Sequence, residues 1–172
     1  MNAPYSESTV TIHDSPPRSE LHADLPAVMR ALRARHAQCS EPDADATNAD
    51  YGAQLLTIDG ATARLRVGRV TPRKVGLFVA VWERAEDGTT RPFAAEGDAE
   101  LLLVIVRDGA QLGLFTFPRE ALREHGILSV AGEGGKRGFR LYPPWSVTSN
   151  AQARRTQQWQ QRYFETISDL PA

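Results

Sequence analysis

Apolar residues recur at helical spacing near the two ends of the chain, and between those stretches they alternate or run together as strands do. Leu25, Val28, Met29, Leu32 and His36 share one stripe with Arg30, Arg33 and Arg35 off it, which predicts a helix beginning at Leu25. Asp24 stands where it can cap the free amides, and Pro26 suits the first turn. "CSEPDADATNAD" (39–50) is polar and turn-rich and reads as a loop. "YGAQLLTI" (51–58) and "ATARLRVGRV" (61–70) flank Asp59-Gly60, a pair that tolerates the positive φ values of a tight hairpin turn. In the second of these strands Ala63, Leu65 and Val67 alternate with Arg64, Arg66 and, past Gly68, Arg69. One face is then apolar and the other cationic. Three arginines on one strand face repel one another unless acids or an anionic ligand lie opposite.

"VGLFVAVWERA" (75–85) predicts a third strand, ended by the turn "AEDGTT", with Pro72 turning the chain ahead of it. "ELLLVIVRDGAQLGLFTFP" (100–118) predicts a second hairpin across Asp108-Gly109, its almost wholly apolar first arm matching a central strand covered on both faces. "REALREHG" is a short helix stopped by Gly126, and "AGEGGKRGFRLYPPW" is a Gly-rich basic loop with a short extended segment. "SNAQARRTQQWQQRYFETI" predicts a final helix carrying Trp159, Tyr163 and Ile167 at i, i+4 and i+8. Residues 1–18 have no apolar period and are expected to be disordered or loosely attached, leaving one domain over residues 19–172. The order of helix, five strands, helix, short strand and helix predicts an α/β or α+β domain on a mixed sheet.

Composition narrows the function classes. A chain of 172 residues with 41% hydrophobic and 24% charged residues is sized for one core. No apolar run reaches the length of a bilayer span, and "MNAPYSESTV" has neither a basic start nor a hydrophobic stretch, so a cytoplasmic protein with no membrane partner is expected. A single cysteine and four histidines without ligand spacing argue against a disulfide framework or structural zinc. The net charge of -1 hides a segregation along the chain. Residues 1–50 hold eight acids to four bases, and residues 92–131 six acids to three bases. Residues 60–91 hold seven bases to three acids, and residues 132–172 six bases to three acids. Two basic stretches that meet on one face would attract a polyanion.

Most catalytic signatures are missing. "GEGGKRG" departs from a nucleotide-binding P-loop at both ends, although its glycines can form a nest of amides beside Lys136 and Arg137. No nucleophile elbow, HExxH or GxGxxG occurs. A metal-dependent nuclease needs carboxylates on neighbouring strands to hold Mg²⁺, and Asp50, Asp98 and Glu100 are the candidates. The acid-x-Lys expected on a following strand is lacking, so binding phosphate is a better match than cleaving it. No cofactor is implied unless the protein is a nuclease, when Mg²⁺ would be required.

"RVGRVTPRKVGLFVAVWER", "RPF", "FTFP", "GGKRGFRLYPPW" and "AQARRTQQWQQRYF", in that order, resemble the MepB family of bacterial proteins over about residues 48–167. The resemblance implies a restriction-endonuclease-like α/β fold and nucleic-acid binding. On this reading Arg66, Arg69, Arg73 and Lys74 would meet DNA or RNA phosphates from one side, and Lys136, Arg137, Arg154 and Arg155 from the other. Trp82 and Trp145 can stack on bases, although their neighbours suit packing into the core or a turn. The rival expectations are a divergent nuclease using Asp50, Asp98 and Glu100 with Lys74 or Lys136, and an adaptor whose basic face docks on an acidic protein partner.

Overall fold

The predicted first helix forms as α1 (Leu25–Arg35), with Leu25, Val28, Met29 and Leu32 buried along its stripe. The chain continues through β1 (Asp43–Ala44), β2 (Gln54–Ile58), β3 (Ala61–Val67), β4 (Arg69–Thr71), β5 (Lys74–Ala80), β6 (Trp82–Arg84) and β7 (Thr90–Pro92). Then come β8 (Leu101–Asp108), β9 (Gln111–Pro118), α2 (Arg119–Glu124), β10 (Gly138–Leu141), α3 (Ala151–Gln160), a single 3-10 turn (Gln161–Tyr163) and β11 (Phe164–Thr166). These elements belong to a computed structural model in which residues 22–45 and 53–168 are described. The N-terminal segment expected to be loose and the candidate acid Asp50 lie outside them. No helix among the described residues is long and apolar enough to cross a membrane.

Six strands form a mixed sheet in the order β1-β2-β3-β8-β9-β11, antiparallel except for β3 against β8. β8 is buried on both faces, as its unbroken apolar run predicts, and its side chains feed two cores alternately. Leu103 and Ile105 pack with α1, while Leu102, Val104 and Val106 pack with the other side. That other side is covered by α2, by residues that pack from α3 and its 3-10 turn, and by a second sheet of order β10-β5-β4, whose Leu77, Val79, Phe139 and Leu141 point inward. The domain is a mixed α+β fold with a sheet flanked by few helices.

Two predicted strands are each divided between sheets. Gly68 ends the pairing of β3, and its amide donates to Ile105 O at 2.8 Å before the chain crosses to the small sheet as β4. A Cβ there would lie 3.1 Å from Val106 and 3.3 Å from Leu141, so the crossing point is where the two sheets press together. The third strand divides at Val81 into β5 and β6. Pro72 and Arg73 turn β4 back into β5, as expected. Asp59 and Gly60 form the first hairpin loop with φ of 48° and 86°. The second hairpin pairs Asp108 with Gln111, so its loop is Gly109-Ala110, one residue later than the sequence suggests. The final helix is shorter than predicted: it stops at Gln160, and Phe164–Thr166 leaves it to pair with β9, so Ile167 is not on the helix.

Candidate nucleic-acid interface

The small sheet covers the core with one face and leaves the other outside. Because β5 alternates, Leu77 and Val79 go inward while Lys74 and Phe78 remain exposed. Register carries this across the sheet, pairing Phe78 with Arg69 of β4 on one side and with Arg140 of β10 on the other. Arg140 is held by its Nη1 donating to Val75 O (3.1 Å) and its Nη2 to Thr71 Oγ1 (2.9 Å), which fixes a cation on this face. Between this face and α3 lies an open groove of about 690 Å³. Lys74, Lys136 and Arg140 line it with Phe78, Tyr142 and Trp159, and no Asp or Glu among the described residues takes part.

The walls are held by side chains of α3. Asn150 caps the helix by accepting from Ala153 N at 2.8 Å. Gln160, fully buried, donates Nε2 to Arg140 O (2.7 Å) and accepts from Tyr142 N at Oε1 (2.8 Å), so the helix clamps the end of β10. Gln157 Nε2 donates to Pro143 O (3.0 Å) and Ser146 O (2.9 Å), fixing the loop that follows. His125 stacks on Trp159 with ring centroids 3.9 Å apart and planes 9° from parallel. These two rings border both the groove and a neighbouring depression of about 530 Å³ that holds Arg155 and Arg162 together with one acid, Glu124.

The predicted cations are partly brought together. Lys74 and Lys136 share the groove, Arg69 and Arg73 are exposed on the adjoining hairpin, and Arg155 belongs to the next depression. Arg66 is a correction: only 4% exposed, it donates Nη2 to buried Asp45 at 2.8 Å and Nη1 to Leu65 O at 2.9 Å, so it offers nothing to a surface ligand. Burial pulls the Arg66 pKa down, and the Asp45 carboxylate opposes that shift. Its strand neighbour Arg64 pairs with Glu83 at 3.1 Å and lies 3.9 Å above the Phe93 ring. The acids that the cationic strand face requires are therefore internal. Arg137 is exposed but turned to β7, donating to Thr90 O at 2.8 and 3.1 Å, and Arg154 donates to Ser149 O. The Gly-rich loop closes on itself: Val130 and Glu133 exchange backbone hydrogen bonds, and Glu96 accepts from the Ala131 amide at 2.9 Å.

Asp98 and Glu100 are exposed ahead of β8, and neither lines the groove. Glu100 borders a small separate depression with Arg64 and Arg119. Among the described residues no group of three or more His, Cys, Asp and Glu side chains is placed to hold a metal ion, and the third candidate acid, Asp50, lies outside them. Trp82 is half-buried outside the groove, under Arg84, and Trp145 packs edge-on against Phe164 at 5.4 Å. The groove residues that sequence reasoning missed are Arg140, Phe78, Tyr142 and His125. The alternation of "KVGLF" and "GFRLY" is the one signal that could have placed the first three on a common face.

Known proteins match this architecture. A crystal structure of MepB superposes with a TM-score of 0.72 at 32% sequence identity, covering 86% of this chain and 98% of that one. No curated protein matches the chain. The model of the MepB-like family matches residues 45–166, which takes in the six-stranded sheet from β2 onward, the small sheet of β10, β5 and β4, and the groove between β10 and α3. The chain belongs to the MepB-like family.

Proposed function

We propose that the protein binds the backbone of DNA or RNA in the groove between the small sheet and α3, without cleaving it. The supporting observation is three cations, Lys74, Lys136 and Arg140, lining a groove to which no carboxylate of the described residues contributes. A polyanion gains from each cation by releasing condensed counterions, and no acid among the described residues of the wall repels it. Arg69 and Arg73 extend the positive field along the hairpin, and Arg155 and Arg162 extend it past Trp159. Contacts of this kind position phosphates and carry little sequence information. On this reading the protein works in the cytoplasm with its ligand.

Fluorescence anisotropy of labelled DNA and RNA, with the wild type and a Lys74→Ala/Lys136→Ala/Arg140→Ala variant, tests the reading. Saturable binding at low salt that the variant loses supports it. Absence of wild-type binding, or equal binding by the folded variant, overturns it. The same oligonucleotides incubated with Mg²⁺ or Mn²⁺ are expected to stay intact; metal-dependent fragments that disappear in Asp98→Ala would establish a nuclease instead.

A further inference from the structure

The exposed face of the small sheet carries two aromatic rings, each laid over a glycine of the neighbouring strand. A Cβ on Gly138 would come within 2.2 Å of Phe78 Cζ, so this ring lies down on the backbone of β10. A Cβ on Gly76, whose φ is 82°, would meet Leu141 O at 2.4 Å and then Tyr142 Cδ1 at 2.9 Å, so the second ring lies against β5 beside that backbone oxygen. A ring lying on backbone turns its opposite face outward, and Phe78 keeps 41% of its surface exposed. It does so in the central strand of its sheet, in register between Arg69 and Arg140. Water beside an open ring forgoes the stabilisation that burial would give, whereas a base flanked by phosphates supplies partners for the ring and for both cations.

A duplex keeps the faces of its bases inside its own stack, and a single strand can splay them onto a protein surface. We infer that the ligand is single-stranded nucleic acid, its bases stacking on Phe78 and Tyr142 while Lys74, Lys136 and Arg140 hold the phosphates. This deepens the backbone-binding reading above and rests on it. Every base has a π-face, so the binding tolerates sequence. The rings do not sense the sugar, and the test therefore includes both DNA and RNA strands.

The experiment is an anisotropy titration of a labelled mixed-sequence DNA strand, the RNA of the same sequence, and the DNA duplex. The proteins are wild type, Phe78→Ala, Phe78→Leu and Phe78→Trp, each first shown to be folded by circular dichroism. Single strands of at least one sugar type are expected to bind more tightly than the duplex. Phe78→Ala and Phe78→Leu should lower that affinity roughly tenfold, and Phe78→Trp should retain it. A fluorescent base analogue in the strand should be quenched by wild type and not by Phe78→Ala. Equal binding of strand and duplex, with the Phe78 variants unchanged, overturns the stacking inference and leaves the backbone reading standing. Binding of neither overturns both.

Discussion

Arg66 illustrates how one side chain can be misassigned from alternation alone. Its spacing with Arg64 and Arg69 marks a cationic strand face, but the acids that neutralise that face are Asp45 and Glu83, 21 and 19 residues away in the chain. Strand periodicity says which side a residue takes and nothing about which distant acid meets it. The buried pair makes a definite prediction. Asp45→Ala leaves an unpaired internal cation and should cost about 3–5 kcal/mol in chemical denaturation, while Asp45→Leu/Arg66→Met recovers most of that loss. Neither change should alter oligonucleotide affinity of the folded protein. Asp24 teaches the same lesson at the start of α1, where no side-chain cap bond forms because both of its oxygens accept from Arg107 at 2.6–2.9 Å. Those hydrogen bonds, opposed by burial, hold the Asp24 carboxyl below its ordinary pKa. A depressed folded-state pKa stabilises above the unfolded value and loses that contribution as pH falls through the folded one. The wild type should therefore exceed Asp24→Asn by about 1–2 kcal/mol at neutral pH, the two converging as pH falls below about 4 in urea titrations.

Elements with a continuous local signal were readable before the structure. α1 has its stripe, β8 its apolar run, and Asp59-Gly60 its turn chemistry. What the sequence hides is where a strand changes partners. "ATARLRVGRV" reads as one strand because each half alternates correctly, and only the packing of Val106 and Leu141 around Gly68 shows why the chain must leave the large sheet there. The end of α3 was hidden for a similar reason: Trp159 and Tyr163 keep helical spacing, yet the unpaired edge of β9 draws Phe164–Thr166 into a strand. The clamp from α3 to β10 also has no sequence signature, since Gln160 resembles its exposed glutamine neighbours. Gln160→Leu leaves Arg140 O and Tyr142 N without their partner and should cost about 3 kcal/mol. Hydrogen exchange should show faster opening of β10 than of β8 in that variant, and uniform acceleration across both would contradict the clamp.

Across the whole molecule, the segregation of charge along the chain left open whether two basic stretches would meet on one face or be balanced by acids elsewhere. They meet through Lys74 from one and Lys136 and Arg140 from the other, because β10 pairs with β5 across more than 50 intervening residues. The rest of the prediction dispersed: Arg66 went inside, Arg137 went to β7, and Arg154 stayed outside the groove. A net count cannot distinguish these fates, since each depends on a hydrogen-bond partner supplied by tertiary structure. On the proposed reading, the groove cations are the ones that meet phosphates. The most direct measurement is the slope of log affinity against log salt for a single-stranded oligonucleotide, in the wild type, in Lys74→Ala/Lys136→Ala/Arg140→Ala, and in Arg137→Ala/Arg154→Ala. The groove variant is expected to bind more weakly with a slope shallower by about 2, and the second variant to keep nearly the wild-type slope. An unchanged slope in the groove variant, or the larger loss in the Arg137/Arg154 variant, would contradict that reading.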